Sequence, residues 1–427
     1  MKRDLMLHLA VFGLLGVAWG QNDPNKPQDP NKKDGFKQNV AVDQATVDKA
    51  IEKGLTYLKT SDSPNTHVGD SDELKLLTHI HGGTPENDAA FQALFKTCFD
   101  APLEKTYGVA LLAMCLEEMD RVKYQNKIAQ CGQFLLDNLK ANGGFNYGEP
   151  TVYTLDVPTG SPRKDIASAG GAVKAGEAPP PPGEKIKPKV TNTIKLTKKK
   201  DGGAQRSDNS NSQYGALGMR ACHDAGVVFP TSWVEKARLY WVNNQAAGEK
   251  GDDKGRPAVA SGPYPVGTPR GWCYNDSQDT GCGHGGAPYS SMTAGAIGAV
   301  CIYDYMLKKD WKKDKPVIDG LAWLEKNWSV SENVGPAETA KGTPNGWLYY
   351  YLYAVERTGM LYDTTLIGNK DWYLEGARLL LNAQKPDGSW DGSHFKHPTW
   401  DTCFAILFLK RATRRLVATG GGLAPKK

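Results

Sequence analysis

The chain lacks a charge excess. Its 52 Lys and Arg stand against 47 Asp and Glu, and a net of +5 over 427 residues is too small to argue for a nucleic-acid partner. It also lacks a hydrophobic run of membrane-spanning length: the apolar stretch Leu5 to Trp19 falls short of the roughly 20 residues a span needs. No cysteine follows that stretch, which excludes a lipid attached at such a position. An apolar face is missing from Gln21 to Gln38, a near-repeat of Asn, Pro, Asp and Lys. Such a segment cannot bury enough surface to fold, so residues 21–40 are expected to be a disordered tether.

What stands at the N-terminus is a basic start (Lys2, Arg3), the short apolar stretch, and small residues Ala18 and Gly20 where a signal peptidase reads. Residues 1–20 are therefore expected as a cleaved signal peptide, with an uncleaved anchor as the alternative. The mature chain is expected to be secreted or periplasmic, with no stable membrane span after cleavage.

Length alone suggests two or three domains. The apolar pattern argues instead for one large domain, because the same arrangement recurs six times. An amphipathic segment comes first: Ala45 to Lys59, Asp88 to Thr97, Gln125 to Leu139, Trp233 to Gln245, Val317 to Trp328 and Trp372 to Gln384. A segment apolar almost all round follows each in turn: Leu74 to Ile80, Tyr107 to Met119, Tyr214 to Ala225, Ser291 to Tyr303, Trp347 to Val355 and Trp400 to Leu409. A helix with one apolar stripe lies on a surface, whereas a helix apolar on every side is enclosed. Turns rich in glycine and aromatics, such as Asn142 to Tyr147 and Gly271 to Tyr274, connect the segments. Helix pairs that cannot bury their faces alone must stack on neighbours. The fold class is thus all-α: an (α/α)6 toroid of six outer/inner helix pairs over 41–415, with a flexible C-terminal tail over 416–427.

Two insertions interrupt the pattern, at 149–206 and 248–288. In the first, Thr151 to Asp156 and Val190 to Leu196 have strand-like composition and flank a proline-rich tip. A small β-flap is expected there, made basic by Lys195 and Lys198 to Lys200, acting either as a solvated loop or as a lid or partner-binding arm over one mouth of the toroid. In the second, Cys273 and Cys282 lie close across a turn. They are a disulfide candidate in an exported protein, or two ligands of a zinc site completed by His284. Cys115, Cys222, Cys301 and Cys403 fall on inner segments and read as packing residues. His79 and His81, two residues apart, cannot share one helix face and read as end-of-helix or surface residues.

Inner helices of a ring all run one way, so their N-termini gather at one mouth. There, unpaired N–H groups and positive dipole ends converge. The candidate ligand-binding residues at that mouth are Tyr107, Asn211, Gln213, Tyr214, Ser291, Thr293, Trp347, Tyr350 and Trp400. Aromatic walls with a few polar groups suit a pocket. The same residues are equally helix caps and core.

The turn Gln384-Lys-Pro-Asp-Gly388-Ser-Trp390 resembles the Q…G-x-W motif of the squalene/hopene cyclase and prenyltransferase repeat family. The segments Asp208 to Ala221 and Ser291 to Gly295 also resemble parts of bacterial secreted proteins that carry this repeat, and the resemblance runs from about Val47 to Ala412. It implies the α/α toroid. It does not select a function, because that toroid hosts cyclases, protein prenyltransferases, thioester domains and proteins of unknown role.

The known catalytic patterns of these relatives are incomplete here. A protonating cyclase uses a D-x-D-D cluster; Pro398-Thr-Trp-Asp401-Thr-Cys403 retains only Asp401, which leaves a lone carboxylate without a means of becoming a very strong acid. Asp401 is still the candidate catalytic residue. Prenyltransferases hold zinc with an Asp-x-Cys pair and a later His; Asp401 and Cys403 supply the pair, and only His394 and His397, upstream, could stand in for the third ligand. Gly281-Cys-Gly-His-Gly285 lacks the Glu-Gln a thioester requires. A carbohydrate-active enzyme would need paired carboxylates, for which Asp208, Asp387, Asp391 and Asp401 are the possible parts. The expectation is therefore a binding or scaffold protein with no cofactor. Its mouth would hold an apolar, isoprenoid-like or aromatic-stacking small molecule, or a protein partner. A divergent isoprenoid enzyme working through Asp401 is second, and a carbohydrate-active (α/α)6 enzyme third.

Overall fold

A computed structural model describes residues 41–63, 72–157, 187–203, 206–247, 262–274, 287–335, 346–392 and 397–416. Chain contacts divide Met1–Gln38 from Asn39–Lys427, and the described residues belong to the second unit. The expected signal and tether, 1–40, and the tail beyond Leu416 lie outside them. No described helix is long and apolar enough to cross a membrane.

Among the described residues twelve α-helices follow one another: α1 (Gln44–Thr60), α2 (Asp72–Gly82), α3 (Ala89–Asp100), α4 (Thr106–Asp120), α5 (Gln125–Asn138), α6 (Asn209–Asp224), α7 (Thr231–Asn243), α8 (Ser290–Met306), α9 (Lys315–Lys326), α10 (Leu348–Tyr362), α11 (Trp372–Ala383) and α12 (Pro398–Lys410). The two classes read from sequence are plain in α11 and α8, whereas the outer helix α5 is buried continuously from Cys131 to Asn138. In α11 the buried residues are Trp372, Gly376, Ala377, Leu379 and Leu380, one face of the helix. In α8 every residue from Ser290 to Asp304 is buried. The even-numbered helices touch in the order α2, α4, α6, α8, α10, α12, and α12 returns to α2. The odd-numbered helices lie outside them, and α1 closes the outer layer by packing on α11 and α12. The chain is the all-α (α/α)6 toroid expected. Closure leaves no terminal repeat with an exposed apolar face.

The Gln384–Trp390 turn seals that closure. Gln384 follows α11 and donates from Nε2 to the Ala50 carbonyl of α1 at 2.8 Å and to Gly388 at 3.0 Å. Trp390 is fully buried; its backbone N–H reaches Thr402 Oγ1 on α12 at 3.0 Å, and its indole N–H reaches the Leu380 carbonyl on α11 at 2.8 Å. One turn therefore ties together two outer helices and one inner helix. The same set of bonds occurs at Gln245 and Trp272. Gln245 donates to Arg270 and to Pro316 of α9, each at 3.0 Å. Trp272 donates to Thr293 Oγ1 on α8 at 3.0 Å and to Trp241 on α7 at 2.8 Å. This second copy is split in sequence by the second insertion.

Sheet is minimal. β1 (Ile194–Lys195) pairs in parallel with β2 (Val227–Val228), and β3 (Leu366–Ile367) pairs antiparallel with β4 (Lys370–Asp371). The first insertion differs from the two-stranded flap read from composition. Val152–Asp156 is a 3-10 turn, and β1 pairs with the segment after α6 instead. Val152 and Leu155 are 74% and 78% exposed, so no apolar face holds 151–156 as a strand. The returning arm is clamped to α5. Lys198 Nζ donates to the Leu136 and Leu139 carbonyls at 2.6 and 2.7 Å, which satisfies the open end of that helix. Burial pushes the Lys198 ammonium down to about 8, and its charge also sits 4.5 Å over the Trp233 ring. The fold itself thus holds Lys198 in place.

Cys273 is disulfide-bonded, and Cys282 lies outside the described residues. Cys115, Cys222, Cys301 and Cys403 are buried thiols, as their positions on inner helices imply. His79 does lie in the last turn of α2, yet it is buried rather than at the surface and hydrogen-bonds Thr84 Oγ1 at 2.9 Å.

Candidate functional site

The inner-helix N-termini meet at one mouth, where the aromatic residues form two layers. Partly buried Tyr107, Trp347 and Trp400 make the upper one. Trp347 and Trp400 stack with ring centres 6.2 Å apart and planes 19° from parallel. Trp347 holds its position through a left-handed backbone, φ +62°, just before α10. That conformation is uncommon for a bulky residue. Below lie Tyr214 and Tyr350, buried. Tyr107 sits 4.5 Å from Tyr214, and Tyr214 stacks on Tyr350 at 6.4 Å. Tyr350 meets Trp347 at 6.1 Å and Phe404 at 5.6 Å, edge to face.

A polar chain threads the lower layer. Gln213 accepts from Arg357 Nη2 at 2.8 Å and donates from Nε2 to the Tyr350 hydroxyl. Arg357 is 2% exposed and lies 4.2 Å over the Tyr353 ring and 5.5 Å over that of Tyr214. Burial raises the Tyr107, Tyr214 and Tyr350 phenols above their ordinary range, so all three remain O–H groups at neutral pH. Beside them Asp208 caps α6. It accepts from Asn211 N–H at 2.7 Å, Asn211 Nδ2 at 2.8 Å and Ser210 Oγ at 2.7 Å, while burial raises its carboxyl. Ser210 in turn bonds the Tyr274 hydroxyl at 3.0 Å.

The structure thus brings Tyr107, Gln213, Tyr214, Trp347, Tyr350 and Trp400 together. It places the other expected mouth residues in supporting positions. Asn211 is held by Asp208. Ser291 exchanges hydrogen bonds with Asn333, whose Nδ2 also holds the Gly346 carbonyl just before α10, and Thr293 accepts from Trp272. Asp401, 3% exposed, accepts from the Gly392 N–H at 3.1 Å and so braces the loop behind Trp390. Cys403 is fully buried and its thiol is pushed up to about 12, far from the thiolate that zinc takes. His397 packs against Trp400 at 4.6 Å, and His394 lies outside the described residues. Among the described residues no group of His, Cys, Asp and Glu is arranged to hold a metal.

Sequence reasoning did not find Arg357. It stands in an apolar run, where a lone arginine was the one available signal. Nor did it find the opposite end of the ring. There a cavity of about 60 Å³, room for roughly two waters, is lined by His81, Glu117, Glu118, Arg220, Asp224 and Arg414 among others. Its charges are internally matched: Arg414 grips Glu118 at 2.6 and 2.9 Å, Lys187 bridges Glu117 and Glu118, and Arg220 pairs with Asp224 at 3.4 Å. The C-terminal segment crosses this end, with Thr413 donating to Glu356 from N–H and Oγ at 2.9 and 2.7 Å.

Scans against protein-family models and against curated proteins found no match. Among solved structures, a possible member of the GH105 family from Salmonella enterica superposes with a TM-score of 0.49 and 10% identity, over 87% of this chain and 95% of that one. The apo type II terpene cyclase MstE from Scytonema superposes with a TM-score of 0.43 and 10% identity, over 86% and 99%. The architecture rests on the closed ring of helix contacts rather than on likenesses this distant.

Proposed function

We propose that this chain is a binding protein, resembling squalene-cyclase and prenyltransferase repeat proteins, whose mouth at the inner-helix N-termini holds a ring-bearing small molecule. The stacked, partly buried Trp347–Trp400 pair above a hydrogen-bonded floor is the observation that carries this reading. Flat aromatic rings at the starts of the inner helices suit stacking against a planar or cyclic ligand. A deep apolar tunnel for a long isoprenoid finds less support, because Tyr214, Tyr350, Tyr353 and Arg357 fill the ring below the mouth. Export, read from residues 1–20, remains part of the proposal.

Native mass spectrometry of the protein, followed by extraction, tests it. A small molecule that co-purifies with the wild type and is lost from Trp400→Ala supports the mouth as the site. Retention of the ligand by a Trp347→Ala/Trp400→Ala double variant overturns it. Turnover of a linear isoprenoid, lost in Asp401→Asn, would replace binding by the divergent-enzyme reading.

A further inference from the structure

Two carboxylates share one arginine where α7, α8 and α9 meet, at the end of the ring away from the mouth. Asp304 stands in the last turn of α8 and is fully buried, and Asp314 stands at the start of α9. Arg238 of α7 donates from Nε to Asp304 Oδ1 and from Nη2 to Asp314 Oδ1, the latter at 2.8 Å. The second oxygens, Asp304 Oδ2 and Asp314 Oδ2, are both buried and have no donor among the described residues. The two carboxyl groups lie within hydrogen-bonding reach of each other. Two ionised carboxylates against one guanidinium would leave a net negative charge at this corner, and like charges at such range cannot both ionise.

The surroundings add to that pressure. α8 ends at Met306, so Asp304 lies at the negative end of the helix dipole. Burial, and then the neighbouring Asp314, raise the Asp304 carboxyl to about 6 against the pull of Arg238. Cys301, one turn earlier on α8, and Lys312, on the 3-10 turn Trp311–Lys313, are also near, and Lys312 pairs with Asp363 at 3.0 Å. From α6, His223 and Asp224 face the adjacent Tyr305, and from α10 the Tyr362 hydroxyl donates to the Lys312 carbonyl. Asp314 has a second place to go. It immediately precedes α9, where an aspartate ordinarily accepts from the first N–H groups of the helix, yet its side chain makes no such bond. The connection it anchors is itself short of a bond, because the Trp311 indole N–H is buried without an acceptor among the described residues.

We propose that Asp304 and Asp314 share a single proton between their second oxygens, and that this proton is the catch of a pH-sensitive clasp holding the α8–α9 connection to α7. With the proton in place the two carboxyl groups and Arg238 carry no net charge. When it leaves, the carboxylates repel, and Asp314, whose side chain is 19% exposed, swings out to cap α9. A carboxyl held above its unfolded value of 3.8 stabilises the closed corner fully below that value and loses the contribution as pH rises through about 6. The clasp therefore closes in mild acid and loosens at neutral pH. It is independent of what the mouth binds.

Hydrogen exchange at pH 5 and pH 8, corrected for the intrinsic rate and followed in peptides from Leu307 to Gly320, tests the clasp. In the wild type the opening of this segment is expected to increase about tenfold between those pH values, the share of the titration that lies above pH 5. Asp314→Asn puts an amide where the proton was: its NH2 can donate to Asp304 Oδ2 while its oxygen accepts from Arg238. Protection in this variant is expected to be as high at pH 8 as at pH 5. Asp304→Asn makes the reciprocal exchange, carries the same expectation, and serves if Asp314→Asn does not fold. Glu356, which burial also raises, acts alike on wild type and variants, so the comparison between them isolates the clasp. Wild-type exchange in this segment that does not change with pH, or that changes equally in the variants, overturns the proposal.

Discussion

The C-terminal segment is latched to the ring by Glu356, and that latch makes a sharp prediction about pH. The Glu356 carboxyl is fully buried and accepts from Thr413 twice. Burial pushes it up from 4.5 to about 7, against the opposing pull of the Thr413 hydrogen bonds and of Arg357 and Arg411. The folded chain therefore holds a proton between those pH values that the unfolded chain releases. Stability from this group is complete below pH 4.5 and is lost as pH rises through about 7. At about 1.4 kcal/mol per pH unit the interval corresponds to roughly 3 kcal/mol. Glu356→Gln keeps a neutral acceptor for the Thr413 N–H and removes the titration. It should be near neutral at pH 5 and stabilising by up to roughly 3 kcal/mol at pH 8. With an unfolding entropy of about 0.8 kcal/mol per kelvin for a domain of this size, the difference in Tm between variant and wild type should widen by about 4 °C between those pH values. His79 and His81 titrate in the same window with the opposite sign, since burial holds both down to about 4 and their contribution is lost as pH falls. They act on both proteins alike and cancel in the difference. Calorimetry at pH 5 and pH 8 reads the effect, and a Tm difference independent of pH would refute the argument.

Other outcomes follow from the turns and clamps. Gly388 and Gly143 both have φ near +90°, and an added Cβ would lie 2.4 and 2.1 Å from the carbonyl oxygens of Lys53 and Lys236 on the next outer helix. Alanine at either should cost well over 2 kcal/mol, whereas Gly83→Ala, at φ +86° with open space around it, should cost about 1 kcal/mol in urea unfolding. Gln384→Leu removes the side-chain donor that links the Ala50 and Gly388 carbonyls. Hydrogen exchange should accelerate in α1 and α11 while α6 stays protected, and uniform acceleration would contradict a local seam. Lys198→Met strips the donor from three carbonyls at the end of α5 and should destabilise by about 2 kcal/mol or more, measured the same way.

Much of this fold was legible because its governing pattern is local. One apolar stripe or apolar residues all round can be counted within a single helix, and that count separated α11 from α12 without any neighbour. The Gln384–Trp390 turn was legible for the same reason: its bonds begin within seven consecutive residues. Its copy at Gln245 and Trp272 makes equivalent bonds yet was hidden, because an insertion separates the two halves. The first insertion misled where composition was the guide. Val152 and Leu155 look like strand residues, but both are largely exposed.

The candidate site divides along the same line. The sequence by itself determined which residues stand at the starts of the inner helices, and so which aromatics line the mouth, because helix direction and pairing follow from order along the chain. Only the tertiary structure decided which of those residues are open and which are occupied with one another. Gln213 and Arg357 are 144 residues apart and meet across α8. Asp401 turns to a loop N–H, and Trp347 meets Trp400. Closing the ring sets those distances, and no periodicity within a helix encodes them.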